Sequence, residues 1–187
     1  MAGFQALRQP GQGDYTGKLE TFDVDAAHAR IIAPGDVVIL SGTSNATNGR
    51  AGADNFADGA IAGQVTGIVA SIEPQFVGEN LQTTALAATT AGTINCHIDP
   101  NMAFIVDSDA TLTAADVGLN AGFNALESTA NGGLFISNYD LDSSSVAATA
   151  TLPFRIIGLA EDAAGVLGNR AIVQMNSSTL GAGTTGV

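Results

Sequence analysis

Cys96 and His97 stand side by side with Asp99 two positions on, and a thiol, an imidazole and a carboxylate are the groups of nucleophilic catalysis. Their spacing works against that chemistry. Consecutive side chains of a strand leave it on opposite faces, so thiol and imidazole do not meet, and Cys96 reads as a small buried apolar residue. The other histidine, His28 in Asp25-Ala26-Ala27-His28, reads as a surface or interface residue. A single cysteine excludes an internal disulfide and any paired-cysteine metal knuckle. Gly181-Ala182-Gly183-Thr184-Thr185-Gly186 spells the dinucleotide fingerprint. That motif works by opening a helix whose N–H groups hold pyrophosphate, and here only Val187 follows. Gly17-Lys18 lacks the upstream glycine and the following hydroxyl residue of a phosphate-binding loop.

The acids offer two weaker patterns. Asp107-Ser108-Asp109-Ala110-Thr111 opens like a calcium loop, but the sixth and twelfth positions, which need Gly and Glu, hold Leu112 and Gly118. Strand-end turn chemistry is the preferred reading there, with a looser calcium site from Asp107, Asp109 and Asp116 as its rival. Asp140-Leu141-Asp142-Ser143 poses the same choice. No pair of carboxylates is marked out by spacing for acid–base hydrolysis. Arg155 lies in the apolar run Phe154-Arg155-Ile156-Ile157, so it is expected either to meet a carboxylate, in the chain or across an interface, or to face solvent. These residues point away from an enzyme, and no cofactor or metal is implied.

The chain that must position them has 187 residues, enough to bury roughly 70% of its unfolded surface without metal or disulfides. Eighteen acids against six bases give a net charge of −12, with Lys18 the only lysine. That balance argues against nucleic acid, whose phosphates are neutralised by Lys and Arg, and against an anionic membrane surface. No run reaches the length of a membrane-spanning helix. The first residues lack the basic and apolar regions of a secretory signal, so synthesis in a cytoplasm is expected. Charged residues are only 13% of the chain, about half the usual share. The surface must therefore be rich in Ser, Thr, Asn, Gly and Ala, as suits a protein partly covered by neighbours. A mean hydropathy of +0.25 marks a folded chain.

Residues 1–20 read as an extended arm, broken by Pro10, Gly11, Gly13 and Gly17 and carrying Phe4, Leu7, Tyr15 and Leu19, with Phe22 just beyond. Repeated large apolar groups on an arm suggest anchors: Phe4, Leu7, Tyr15 and Phe22, with Arg8 and Lys18 to meet acidic patches on a partner. The rival reading folds the arm back on its own domain. Strands are expected at 36–40, 60–72, 93–98, 102–107, 133–137, 151–159 and 170–176. The second of these switches its apolar face near Gly67, which suggests a bend at that glycine. Residues 41–60 read as a long polar loop, Asp99-Pro100-Asn101 as a hairpin-type turn, and 113–118 as a single helical turn capped by Thr113. The expected fold is all-β, a small barrel or sandwich with very little helix. It divides into an arm (1–20), a β-rich body (21–176) and a low-complexity tail (177–187).

Four stretches carry a resemblance: Asp99-Pro100-Asn101-Met102-Ala103-Phe104, Thr113 to Asn120, Leu141-Asp142-Ser143-Ser144-Ser145 and Leu152-Pro153-Phe154-Arg155-Ile156-Ile157-Gly158-Leu159. In that order, over roughly residues 95–176, the chain resembles head cement proteins of tailed bacteriophages. The resemblance implies a compact β-rich body on the outer surface of the virion capsid, often trimeric, whose terminus reaches over neighbouring major capsid subunits. It implies no catalytic residues. The expected function is capsid decoration that stabilises contacts between major capsid subunits. On this reading removal of residues 1–20 abolishes capsid binding and leaves the body folded. The alternative is a carbohydrate- or receptor-binding module of a fibre or adhesin, which would need an aromatic platform from a chain with no Trp and only Tyr15 and Tyr139.

Overall fold

Val37 and Val38 are both fully buried, and so are Ile68 and Val69, although neighbouring residues of a strand face opposite ways. Such strands must have a core on each side, and that places them at the centre of the architecture. The computed structural model describes residues 3–7, 19–55, 65–77, 80–82, 85–131 and 134–176. In chain order the strands are β1 (Gln5–Leu7), β2 (Leu19–Val24), β3 (Val37–Ser44), β4 (Ala51–Asn55), β5 (Gly67–Ile72), β6 (Gln75–Val77), β7 (Asn80–Gln82), β8 (Gly92–His97), β9 (Ala103–Asp107), β10 (Asn120–Asn124), β11 (Thr129–Asn131), β12 (Leu134–Ile136), β13 (Asp140–Ala147), β14 (Phe154–Glu161) and β15 (Leu167–Met175). One turn of 3-10 helix, Ala114–Asp116, is the helical content of the described residues.

The chain is all-β, built from a closed barrel and a curled sheet. The barrel runs β2-β4-β3-β5-β8, antiparallel except for the β2–β4 seam. Phe22 and Val24 on β2, Val38 on β3, Ala53 on β4, Val69 on β5 and Ile94 and Cys96 on β8 fill it, closed by Ile32 and Leu86. The sheet runs β1-β9-β15-β14-β10-β13, antiparallel throughout. It curls until β13 meets the chain just beyond β9: Ser108 bridges Leu141, and Asp109 donates its N–H to the Leu141 carbonyl at 3.1 Å. The sheet encloses Phe4, Phe104, Val106, Leu141, Phe154, Ile156 and Val173, and the barrel contributes Val37 and Ile68 to the same cluster. Val37 and Ile68 are register partners, so β3 and β5 form one wall with a core on either side.

In the described part of 60–72 the strand itself begins at Gly67. The apolar face does change parity: Val65 and Ile68 pack in the sheet-side core, Val69 and Ile72 against the barrel core, with a register irregularity between Val69 and Ser71. Gly67 also answers a close approach, since a Cβ there would lie 2.6 Å from the His97 carbonyl oxygen. Residues 56–64 lie outside the described set. The polar stretch 41–60 is not one loop: β3 runs on through Ser41–Ser44 and β4 returns from Ala51, registered Ser44 to Ala51 and Leu40 to Ala53. Asp99-Pro100-Asn101 does turn, with Met102 N–H on the Asp99 carbonyl at 3.1 Å, but it carries the chain from barrel to sheet, so β8 and β9 do not pair with each other. Several strands had no expectation, β2, β4, β6, β7, β10, β11 and β13 among them. Asn-Ala-Gly-Phe-Asn in β10 and Asp-Leu-Asp-Ser-Ser-Ser-Val-Ala in β13 are rich in small polar residues, and their pairing comes from tertiary context rather than local preference.

Candidate functional site

The expected anchors distribute as follows. Phe4 is only 2% exposed: its ring stacks on Phe154 with centroids 4.5 Å apart and meets Phe123 edge-on at 6.3 Å. Its N–H bonds the Gly35 carbonyl at 3.0 Å, and β1 then pairs with β9, Gln5 opposite Ile105 and Leu7 opposite Ala103. Phe22 is equally buried inside the barrel, opposite Ile94. Both side chains are therefore spent on the chain's own cores, which corrects their reading as anchors for a partner. Leu7 is half-buried at the end of β1. The boundary at residue 20 falls inside β2, and removing residues 1–20 would take away Phe4, β1 and the start of β2 together. Arg8, Tyr15 and Lys18, and the glycine run 181–186, lie outside the described residues.

Arg155 is exposed on β14 between the fully buried Phe154 and Ile156, registered with Asn120 and Gln174. Among the described residues it makes no ion pair, and its exposed side chain is open to solvent or to a partner across an interface. His28 departs from its surface assignment: it is 2% exposed, with Nδ1 2.7 Å from the Asp25 carbonyl and Nε2 2.9 Å from the Ala87 carbonyl. Cys96 faces the barrel interior, where burial pushes its thiol up, while His97 meets the Phe104 ring edge-on at 5.9 Å and burial holds its imidazole below the usual value.

The three carboxylates of the calcium reading do not converge. Asp107 is engaged by Arg170, Nε to Oδ1 at 2.6 Å. Asp109 accepts from the Ser143 N–H at 2.9 Å and from Asn124 at 3.3 Å, and these bonds outweigh its burial and hold it below the ordinary carboxylate value. Asp116 caps the 3-10 turn, taking the Thr113 N–H at 2.7 Å and hydroxyl at 2.9 Å. Among the described residues no three His, Cys, Asp or Glu side chains gather as a metal set. Asp142, from the related pattern, accepts from the Ser144 N–H and hydroxyl in its own turn.

Two recesses are lined by described residues. One of about 350 Å³ opens at the barrel mouth between Asp23, Asp25, Thr43 and Asn45. Asp23 is its hub, held low chiefly by the Asn48 amide and further by Asn45, with the Arg50 guanidinium 3.7 Å away. The other, about 520 Å³, lies between residues 107–111 and 162–170, where Asp162 accepts from Asn169 and from the Ala164 and Val166 N–H groups. In both, the carboxylates are already tied into the fold.

The residue that sequence reasoning passed over is Asp36. It was read as the start of a strand, yet it is fully buried, and its carboxylate accepts from the Ala33 N–H at 2.8 Å and from Ser128 at 2.9 and 3.0 Å, with the Ser137 hydroxyl also bonded to it. The legible signal was a carboxylate placed directly before the uninterrupted apolar run Val37-Val38-Ile39-Leu40. Two hairpins complete the picture: β6–β7 and β11–β12 each pair only within themselves and belong to neither barrel nor sheet. Comparison with known protein families, curated proteins and solved structures finds no match to this chain.

Proposed function

We propose that this chain is a structural protein of a larger assembly, a cement or decoration protein that binds the outside of a tailed-phage head and stabilises contacts between major capsid subunits. The observation that carries the reading is the pair of hairpins outside both sheets. Two strands of three residues are marginal by themselves in water, so such elements gain order when a neighbouring subunit seats them. A surface poor in charge and a net charge of −12 fit a protein that covers a shell and stays off packaged nucleic acid. Self-association, with a trimer implied by the resemblance, belongs to the same proposal. The sugar-binding alternative has less support, because Tyr139 is 3% exposed and stacked on Phe123 instead of being offered to a ligand.

The test replaces residues 76–81, and separately 130–135, with short Gly-Ser turns and measures binding to undecorated expanded heads. The reading expects the body to melt within a few degrees of the parent while at least one replacement weakens binding tenfold or more. Parental binding by both replacements overturns it.

A further inference from the structure

Asp36 ends the turn that opens β3, its N–H returning to the Ala33 carbonyl at 3.1 Å. Its two serine partners have a common meaning. Ser128 is the residue before β11 and Ser137 the residue after β12, so one carboxylate on the barrel holds both ends of the β11–β12 hairpin. The N-terminal segment sits on the same junction. Phe4 bonds Gly35, the residue before Asp36, and Gly3 lies so close to Ser137 that a Cβ there would overlap its side chain. Hairpin base, N-terminal segment and barrel thus meet at one buried acid.

Among the described residues, the groups bonded to that acid are neutral donors: the Ala33 N–H and the Ser128 and Ser137 hydroxyls. β3, β5 and residues 3–7 carry no charged residue. On the segment leading into Asp36, the Arg30 guanidinium bonds the Ala125 carbonyl at 2.6 Å, and the His28 ring lies against the Asp25 and Ala87 carbonyls. On the hairpin side Glu127 is exposed, Tyr139 stacks on Phe123, and Asp140 takes the Asn124 amide. Burial, opposed only in part by Ser137, Ala33 and Ser128, raises the Asp36 carboxyl from 3.8 to about 6.

We propose that Asp36 is a proton-operated staple: uncharged, it holds the hairpin base and the N-terminal segment on the barrel, and ionised, it favours an opening of that junction that lets water reach the carboxylate. This inference concerns the isolated chain and stands whether or not the chain decorates a capsid. By linkage, ionisation multiplies the open-to-closed ratio by roughly a hundredfold across the full titration, and by more than tenfold between about pH 4.5 and 7.5.

Hydrogen exchange by mass spectrometry over that pH range, corrected for intrinsic exchange, tests this on the whole chain. The staple predicts that peptides covering 3–7 and 125–139 lose protection more than tenfold as pH rises, while 154–175 keeps its own. In Asp36→Asn the extra loss disappears. Equal pH dependence in parent and variant overturns the proposal. Carbon-detected titration of the Asp36 carboxyl in the unmodified protein guards against a variant that fails to fold: a midpoint near 6 supports the staple, and one at or below 4 overturns it.

Discussion

Gly168 shows how sharply single positions are constrained. Its φ is +92°, and a Cβ there would run into the Leu112 carbonyl oxygen, while its own carbonyl accepts the Leu112 N–H at 2.9 Å. Gly118 has a similar φ of +95° but open space around it. Gly118→Ala is therefore expected to cost about 1 kcal/mol, the strain of a left-handed alanine, and Gly168→Ala at least about 2 kcal/mol, since the backbone must also move. Urea melts of the two variants check the order. Asp36 makes a prediction of opposite sign to the usual acid effect. A carboxyl raised in the folded state stabilises fully below its unfolded value of 3.8, and that contribution is lost as pH rises through about 6. Asp23 and Asp109 are lowered, so their contributions stand above 3.8 and are lost as pH falls. The unfolding free energy of the parent minus that of Asp36→Asn should drop by about 2 kcal/mol from pH 4 to 7. A flat difference would show that Asp36 keeps its unfolded affinity.

At the scale of elements, β1 is three residues long, yet it brings Phe4 into the aromatic group of Phe123 and Phe154. Phe4→Ala is expected to destabilise the whole body by about 3–5 kcal/mol, as deletion of a buried ring does. A thermal midpoint within a degree or two of the parent would mean that β1 is an appendage. Legibility in the sequence follows from how each strand is buried. β8, β9, β14 and β15 have buried residues alternating along much of their length, and their places are readable within a few residues. β5 opens with residues for two different cores and has a register irregularity between Val69 and Ser71, so its apolar residues do not alternate cleanly. β10 and β13 carry little apolar signal and are held by pairing, Gly122 even donating its N–H to the Ser145 hydroxyl at 2.7 Å. The junction at Asp36 was hidden because its Ser128 partner lies 92 residues away, beyond any local pattern.

For the whole molecule, the wall of β3 and β5 joins barrel and sheet through a shared core, and the two small hairpins stand outside it. That arrangement suits a rigid body whose less supported elements meet a neighbour, and decoration of a capsid is the assembly proposed for it. Its central consequence is stoichiometry: a protein that cements a shell must be present wherever the contact it stabilises recurs. The decisive measurement is the copy number of this chain in purified virions, by quantitative mass spectrometry against the major capsid protein. The account predicts parity, or a simple fixed ratio, with the capsid subunit. A handful of copies per particle, or none, would contradict it.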